Sequence, residues 1–339
     1  MNYRELFNDK PNIKTEMPYR VNWCGSYLDC IEGKVITSIL PEKLITIEGK
    51  RNDTNTICIY SNEMHETYSV PLNYMHPRAY RWTDYVDGCL WILAQSHFDI
   101  KYGVNLVVHN DLPSGLGLGS SAAFIMALLW AICDANEIDP STTDLVRLGY
   151  QVERCYLNIP CGLMDFKAIA HLPGVYLLDT STWDVEKDVL LDTREYKLLI
   201  AYDTNAKHMH LGNDFFRETV RNINKADDKF KRYIKTEQNV LRGMQNVFKA
   251  HLDESEFPMT CWDLGIGMCW SQRNLNTIVQ KQFIITIPNH PAIYGAKAVG
   301  SGRKGCMVIL YQEEHVFELM QLLCEMNSSP TFHVKPVFA

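Results

Sequence analysis

An excess of basic residues is absent from this chain: among its 339 residues, 33 Lys and Arg stand against 40 Asp and Glu, a formal net charge of −7. This balance argues against nucleic acid or an anionic membrane surface as a partner. Long hydrophobic runs are also absent. The longest, residues 122–133, is too short to cross a bilayer and predicts a buried core helix. The N-terminal residues include acids and no apolar segment typical of a secretory signal, so the expected location is the cytoplasm.

The cysteine pattern disfavours two further kinds of architecture. The 11 cysteines are odd in number, spread along the chain and never spaced C-x-x-C, which argues against a disulfide scaffold. Cys155 and Cys161 are close in sequence, but no histidine pair at zinc-finger spacing accompanies them. The triplet H-M-H at 208–210 is the other metal-like cluster and is left unassigned. We therefore expect reduced thiols.

Length and hydrophobic periodicity predict two lobes built from strands and helices. A chain of this length is long for one core, and a polar stretch places the boundary near residue 190, giving lobes of 1–190 and 191–339. Strands are predicted within 17–48, with breaks at Gly25, Gly33 and Pro41, and at 56–60, 103–108, 174–179, 197–203, 283–287 and 306–311. Helices are predicted at 82–96, 122–135, 143–157 and 212–252, with a further helix and strand after 311. The charges within 212–252 are interpreted as a solvated helix face.

The most informative segment is P-S-G-L-G-L-G-S-S-A-A, residues 113–123. Its three glycines permit backbone conformations closed to other residues and allow amide N–H groups to approach an anion. The helix that follows would direct its positive end at the same anion, and Ser120 and Ser121 could cap that helix or bind a phosphate-bound metal. A glycine-rich turn with two capping serines is the competing interpretation. The better-known nucleotide loops do not fit, because no G-K-[ST] follows and the glycine spacing is not G-x-G-x-x-G.

Two other segments carry chemistry suited to phosphoryl transfer. In P-Y-R-V-N-W-C-G-S-Y-L-D, residues 18–29, Arg20 supplies a permanent cation and Asp29 an acceptor for sugar hydroxyls. In E-R-C-Y-L-N-I-P-C-G-L-M-D, residues 153–165, Glu153 and Asp165 could share the tasks of binding Mg2+ and accepting a hydroxyl proton. Taken alone, these residues would be a surface ion pair, a solvated helix residue and an ordinary N-cap.

Together these segments resemble the GHMP kinase superfamily, and most closely its galactokinase branch. The family's three motifs are similar to residues 18–29, 113–123 and 295–306, the last reading G-A-K-A-V-G-S-G-R-K-G-C. Galactokinases also share the spacing E-x-x-x-x-x-x-P-C-G-x-M-D at 153–165 and W-x-x-Y-x-x-G at 82–88. The resemblance covers nearly the whole chain.

This resemblance implies an α+β GHMP kinase fold of two lobes, with ATP and substrate between them. The N-terminal lobe would be like the second domain of a ribosomal α/β protein, and the C-terminal lobe would have ferredoxin-like elements. Asp165 would accept the proton of the attacking hydroxyl, Arg20 would stabilise negative charge and orient that acid, and Ser121 and Glu153 would hold Mg2+. ATP would be bound by Trp82 at the adenine and by the loop residues Pro113, Gly115, Leu116, Gly117, Leu118, Gly119, Ser120, Ser121 and Ala122. The sugar would be bound by Gly25, Tyr27, Asp29, Cys161, Gly162 and Arg303.

The chain departs from the family pattern at substrate-binding positions. Ser26 and Tyr27 stand where galactokinases have Glu and His, which leaves galactose itself in question. Arg303 and Lys304 occupy places that are usually small or aromatic in the family. They could contact ATP phosphates, a carboxylate of a uronic acid or a phosphate of a heptose phosphate, or they could point into solvent.

The resemblance therefore implies ATP-dependent phosphorylation of a monosaccharide hydroxyl. The expected acceptor is the anomeric C1 hydroxyl of galactose or of a galactose-like sugar, with a uronic acid, pentose or heptose as variants. Two alternatives stay open: a non-catalytic sensor that binds sugar and ATP, and a GHMP kinase for a non-sugar alcohol such as mevalonate or homoserine. The chain is expected to be a monomer or homodimer.

Overall fold

The computed structural model describes residues 1–73, 78–171, 174–183, 187–191, 197–204, 207–225, 227–253, 261–279, 285–302 and 305–338. The helices there are α1 (Tyr3–Phe7), α2 (Thr83–Gln95), α3 (Ser120–Ala135), α4 (Thr142–Gln151), α5 (Met164–Ile169), α6 (Lys207–Asn224), α7 (Asp228–Asp253), α8 (Cys261–Leu275) and α9 (Val316–Met326). The strands are β1 (Ile13–Cys24), β2 (Lys34–Arg51), β3 (Thr56–Ser61), β4 (Glu66–Pro71), β5 (Val104–Asn110), β6 (Val175–Asp179), β7 (Lys187–Leu191), β8 (Lys197–Asp203), β9 (Ile293–Ala298), β10 (Cys306–Tyr311) and β11 (Phe332–Phe338). No helix within the described ranges is both long and apolar enough to cross a membrane.

One compact unit comprises Met1–Tyr19, Lys43–Ser114 and Ser120–Ala170. Its strands follow the order β4-β3-β5-β2, in which β3 and β5 are parallel and the other pairs antiparallel. Helix α3 lies in the core of this unit, since 11 of its 14 residues from Ala122 to Ala135 are buried. The predicted buried helix at 122–135 is therefore confirmed, and it begins two residues earlier than expected, at Ser120.

The second compact unit comprises Arg20–Glu42, Gly115–Gly119 and His171–Ala339. Here the first part of β2 pairs with β6, which pairs with β7, and a separate antiparallel sheet has the order β11-β8-β10-β9. Helix α9 packs on the four-stranded sheet through Leu319 and Leu323. Helices α6, α7 and α8 bury a second cluster around Tyr27 and Tyr233.

Several predicted elements are confirmed, and the misses have local causes. The strands at 197–203 and 306–311 have the predicted bounds, and the helix predicted at 82–96 is α2. The helical stretch predicted at 212–252 forms two helices, α6 and α7, and not one. Helix α6 ends at Asn224, and Asp227 accepts a hydrogen bond from the backbone N–H of Lys229 at the start of α7, as an N-cap residue does.

Other differences concern breaks and short elements. Strand β2 runs through Pro41, which lies between the register with β6, ending at Ser38, and the register with β5, beginning at Ile45. The missing N–H of proline therefore interrupts neither of these ladders. Residues 285–287 of the predicted strand at 283–287 are not in a strand, and 283–284 lie outside the described residues. The sequence patterns missed α1, β4, α5, β7, α8 and β9. The lobe boundary near residue 190 remains a prediction.

Burial of thiols predicts a measurable dependence of stability on pH. Cys133 on α3 is fully buried, and desolvation raises the pKa of its thiol from 9.0 to about 12. Between these values the unfolded chain has released this proton while the folded chain retains it, so stability falls as pH rises. Cys133 should contribute a loss of about 1.4 kcal/mol in the free energy of unfolding per pH unit in that window.

Urea unfolding of the wild type, Cys133→Ala and Cys155→Ala from pH 8 to 11 tests this expectation. Cys155 is exposed, so its variant is the matched control and should follow the wild-type slope. The Cys133→Ala slope should be shallower above about pH 9.5. Parallel curves for all three proteins would contradict the assignment.

Candidate active site

The glycine loop at 115–119 is held by Arg20, which belongs to the same compact unit. Gly115, Gly117 and Gly119 have φ values of 81°, 87° and 78°, a region that side chains disfavour. The backbone N–H of Arg20 donates to the carbonyl of Leu118 over 2.8 Å. Its guanidinium Nη1 donates to the carbonyl of Gly117 over 2.5 Å. A Cβ at Gly119 would lie 2.9 Å from Arg20 Cγ, so the loop closes directly onto this side chain.

A second glycine loop touches the first, backbone against backbone. A Cβ placed on Gly117 would lie 2.9 Å from the Cα of Gly300, and a Cβ on Gly300 would lie 2.6 Å from the Cα of Gly117. Real Cβ atoms do not approach backbone so closely, so neither position accepts another residue without a shift. The glycines of the predicted phosphate loop and of the segment at 295–306 therefore meet in three dimensions. Arg303 and Lys304 of that segment lie outside the described residues.

The segment at 18–29 reaches the same second loop through Tyr27. The Tyr27 hydroxyl donates to the carbonyl of Ser301 over 2.9 Å. The Tyr27 ring is 3% exposed, stacks on Phe216 and contacts Tyr233 edge-on, and its φ is 66°. Arg20 and Tyr27 thus connect the first segment to the two glycine loops. The sequence predicted a sugar contact for Tyr27, which stays a prediction, whereas the structure gives this residue a packing role.

A fully buried carboxylate that sequence reasoning missed anchors the turn at Gly25. Glu237 on α7 accepts hydrogen bonds from the backbone N–H groups of Gly25, over 2.8 Å, and Ser26, over 3.3 Å. The same carboxylate accepts from Ser271 over 2.5 Å and from Asn274 over 2.8 Å. The basic side chains of α7 whose burial the structure describes, such as Lys229 and Lys235, are exposed as predicted, whereas Glu237 is buried. Its spacing of four residues from Tyr233 and from Leu241 places Glu237 on the apolar face of α7, and this periodicity is the sequence signal that could have found it.

Lys297 is a second buried charge in this network. Its ammonium donates to the hydroxyl of Ser26 over 2.7 Å and to the carbonyl of Asn22 over 3.3 Å. Burial lowers the pKa of Lys297, while the negative charge of Glu237 opposes that effect. The G-A-K sequence at 295–297 marked this segment, but the pattern gave the lysine no role. The structure shows that it fixes the turn at Ser26.

In the first unit, the entrance to α3 is fixed by a carboxylate. Glu63 accepts hydrogen bonds from the backbone N–H of Ser114 over 2.7 Å and from its hydroxyl over 2.6 Å. This places the half-buried Pro113 just before the glycine loop. Ser120 and Ser121 occupy the first turn of α3 and are half-buried, whereas Ala122 is buried. A hydroxyl at this position can serve a ligand, because the first turn of a helix has backbone N–H groups without intrahelical partners.

Glu153 lies in a π-helical turn, Val152–Tyr156, that directly follows α4. The sequence predicted α-helix through Leu157, which is wrong over this turn. The wider turn packs on α2 at Gly88, where a Cβ would lie 2.8 Å from Val152 and 2.9 Å from Tyr156. Gly88 is the glycine of the segment W-T-D-Y-V-D-G, so close packing explains it. Glu153 is 4% exposed, and such turns occur frequently at functional sites.

Asp165 lies in the first turn of α5 and is half-buried. Helix α5 is held against α4 at Gly149, where a Cβ would lie 2.7 Å from the ring of Phe166. The half-buried Cys161 and the buried Gly162 lie in the connection that precedes α5. Asp165 therefore lies on a helix that is fixed in the core by the next residue, the fully buried Phe166.

The contacts that the structure describes for Trp82 and Asp29 are with residues that were not predicted to belong to the site. The Trp82 indole donates to Glu66 over 2.9 Å, and its ring meets Tyr68 edge-on. Asp29 starts a short 3-10 turn, Asp29–Ile31, and accepts a weak bond from the Cys30 thiol over 3.8 Å. Their predicted contacts with adenine and sugar stay predictions.

Comparisons with known proteins show what this chain resembles. Residues 84–171 match the family described as GHMP kinases N terminal domain. The chain is 26% identical to a galactokinase of Thermosipho africanus, with 96% of each chain covered. Its structure resembles that of Lactococcus lactis galactokinase complexed with galactose, with a TM-score of 0.78, 20% identity and coverage of 99% and 96%. It also resembles Methanococcus jannaschii mevalonate kinase, with a TM-score of 0.72, 20% identity and coverage of 96% and 97%. The predicted α+β fold is confirmed, and the predicted resemblance to GHMP kinases and to galactokinases is supported by these matches.

Because the two glycine loops are in contact, we expect a single added methyl group at Gly300 to lower the stability of the protein. Gly300→Ala should lower the free energy of unfolding by about 2 kcal/mol, because its φ is 62° and its Cβ would meet the backbone of Gly117. Gly243 on α7 is the control, since a Cβ there meets nothing within 4 Å. Gly243→Ala should raise stability by up to about 1 kcal/mol. Urea unfolding measures both, and equal effects of the two variants would show that the loops do not constrain each other.

The buried network at Glu237 predicts a charge-coupled loss of stability. Glu237→Ala should cost about 3–5 kcal/mol, because it leaves two backbone N–H groups without their acceptor and Lys297 buried without its counter-charge. Removing both charges in Glu237→Gln/Lys297→Met should be less damaging than the sum of the single substitutions. Glu218→Ala, at an exposed position on α6, is the control for loss of a carboxylate. Strict additivity in a double-mutant cycle would rule out the coupling.

Proposed function

We propose that this chain, which carries a GHMP kinase N-terminal domain and resembles galactokinases over nearly its whole length, is an ATP-dependent sugar kinase. It transfers a phosphoryl group to a monosaccharide hydroxyl, namely the anomeric C1 hydroxyl of galactose or of a galactose-like sugar. The observation that carries this proposal is the convergence of Arg20, the loop at Gly117 and the loop at Gly300. Relatives named galactokinase give the substrate class.

The glycine loop has the chemistry needed to hold ATP phosphates. Its glycines have left-handed backbone conformations and no side chains to keep an anion from the amides, and the loop leads directly into the first turn of α3. The close packing of Gly117, Gly119 and Gly300 fixes the backbone in advance. Such preorganised donors stabilise charge without reorganisation during the reaction. The glycine loop and the first turn of α3 therefore fit the phosphates of a nucleoside triphosphate.

The donor set in the first unit fits Mg2+. Ser121 offers a hydroxyl oxygen and Glu153 a carboxylate, and both are the hard oxygen ligands that Mg2+ prefers. When bound, the metal would neutralise charge on the transferred phosphoryl group. Glu153 would be one of its protein ligands, at the π-helical turn.

Asp165 is proposed as the group that receives the proton of the attacking sugar hydroxyl. In phosphoryl transfer, positioning and charge neutralisation contribute more than covalent chemistry, so a fixed carboxylate is well suited to this task. The packing of Phe166 against Gly149 fixes the helix that carries it. Arg20 would stabilise negative charge, and Asp29 would bind ring hydroxyls.

The role of Asp165 is tested by substitution with a matched control. Asp165→Asn and Asp165→Ala should lower kcat for ADP release with Mg-ATP and sugar by about 10²–10⁴-fold, the usual contribution of a general base. Asp99→Asn, at an exposed aspartate in a loop of the same unit, should leave kcat unchanged. A folded Asp165→Ala protein with wild-type turnover would refute the assignment. Circular dichroism establishes that each variant is folded.

The acceptor is identified by a panel in the same assay. Galactose, arabinose, fucose, galacturonate, glucuronate, a heptose phosphate, mevalonate and homoserine each enter with Mg-ATP. Turnover on a monosaccharide, led by galactose or a galactose-like sugar, is expected. Turnover confined to mevalonate or homoserine would overturn the sugar assignment. A rise in melting temperature with one sugar but no turnover on any compound would instead identify a sensor.

A further inference from the structure

A cluster of two histidines and one glutamate lies on the second compact unit, outside the motifs discussed above. His290 precedes β9, His315 ends the 3-10 turn Glu313–His315, and Glu318 lies in the first turn of α9. His290 Nε2 lies 3.3 Å from Glu318 Oε1, and His315 Nδ1 lies 3.0 Å from Glu318 Oε2. One potential ligand atom from each residue falls within 4.8 Å of the other two.

These separations are close to those of a tetrahedral metal site. Bonds of about 2.0–2.1 Å to zinc, at tetrahedral angles, place ligand atoms about 3.3 Å apart. The two histidine–carboxylate separations are near this edge length, and each ends on a different oxygen of Glu318. With one ligand atom from each residue, no separation exceeds 4.8 Å, so the longest edge needs a movement of about 1.5 Å at most, which side-chain rotation can supply.

The cluster is also accessible. His315 lines a polar cavity of about 510 Å³, whose wall includes Cys261, Tyr311 and Gln312. The side chains of His315 and Glu318 are 42% and 55% exposed, so a metal ion can reach the cluster from solvent and water can complete its coordination. An accessible path and an open position for water are what a three-residue site requires.

A purely structural account explains only part of this arrangement. His315 and Glu318 are spaced i, i+3 at a helix start, where such a hydrogen bond is common. That spacing does not account for His290, which comes from a different element and directs its Nε2 to the same carboxylate. His290 Nδ1 accepts a weak bond from the N–H of Ala292 over 3.2 Å. A metal at Nε2 would move the ring proton to Nδ1 and exchange this weak bond for a coordinate bond.

We propose that His290, His315 and Glu318 form a binding site for a borderline transition-metal ion such as Zn2+. Imidazole nitrogen with one carboxylate selects ions of this class over Mg2+, which prefers an all-oxygen set. The bound ion joins the segment before β9 to the start of α9. Strand β9 carries Lys297 and leads to Gly300, so the metal stabilises the strand that delivers both residues. The proposal does not depend on the proposed kinase activity.

Co2+ is the probe, because its absorption spectrum reports the ligand type. The metal-free full chain is titrated with CoCl2, and the expected result is one equivalent bound with visible d–d absorption and no near-ultraviolet thiolate charge-transfer band. His290→Ala, His315→Ala and Glu318→Gln should each weaken binding by about tenfold or more, the effect that even outer-sphere substitutions can reach. His97→Ala, at an exposed histidine of the other unit, is the matched control and should bind as the wild type does.

The variant Cys261→Ser tests whether the metal binds to the thiol of Cys261, which lines the same cavity as His315, and not to the proposed site. Under the proposal it leaves Co2+ binding intact. The metal should also raise the melting temperature of the wild type and of His97→Ala, but not of the three ligand variants. No stoichiometric binding, binding unchanged in all three ligand variants, or a thiolate band that disappears in Cys261→Ser would each overturn the proposal.

Discussion

The approach of Gly117 to Gly300 is the constraint on which the arrangement of the second unit depends. Two loops far apart in the chain can meet at backbone distance only where neither carries a Cβ. That contact places the carbonyl of Gly117 within reach of the Arg20 guanidinium and leaves Gly119 pressed against the same side chain. Glycines in these loops are therefore required twice. They allow the left-handed backbone, and they allow the loops to pack.

The buried charges of Glu237 and Lys297 are the second organising feature. They contribute more to selecting one conformation of the turn at Ser26 than to the free energy of unfolding. Taking the Glu237 carboxylate out of water costs several kcal/mol, which its four hydrogen bonds and the nearby Lys297 offset. An apolar pair could fill the same volume, but it could not bind the backbone N–H groups of Gly25 and Ser26. The network therefore specifies one conformation for the turn that follows Arg20.

The sequence predicts the part of this protein that is local. Glycines at fixed spacing predict the loop at 115–119, and hydrophobic periodicity predicts α3 and most of the strands. The backbone partners of Glu237 could not be predicted in this way, because they lie on a turn more than 200 residues earlier in the chain. Glu153 could be chosen as a candidate from its motif, yet the π-helical turn that holds it depends on packing against Gly88. Periodicity alone predicts an unbroken α-helix there.

The network also bears on how substrates are distinguished. Ser26 and Tyr27 stand where galactokinases have Glu and His, and polar atoms of both are engaged within the protein. The Ser26 hydroxyl accepts from Lys297, its carbonyl accepts from Tyr233, and the Tyr27 hydroxyl donates to Ser301. Asp29 is half-buried and follows directly. Under the proposed function, recognition of a sugar by this segment would rest on Asp29, with the turn before it serving as a rigid support. A site with one carboxylate in this segment discriminates hydroxyl patterns less strictly than one with an added acid and imidazole, because each buried polar group left unpaired penalises the wrong sugar.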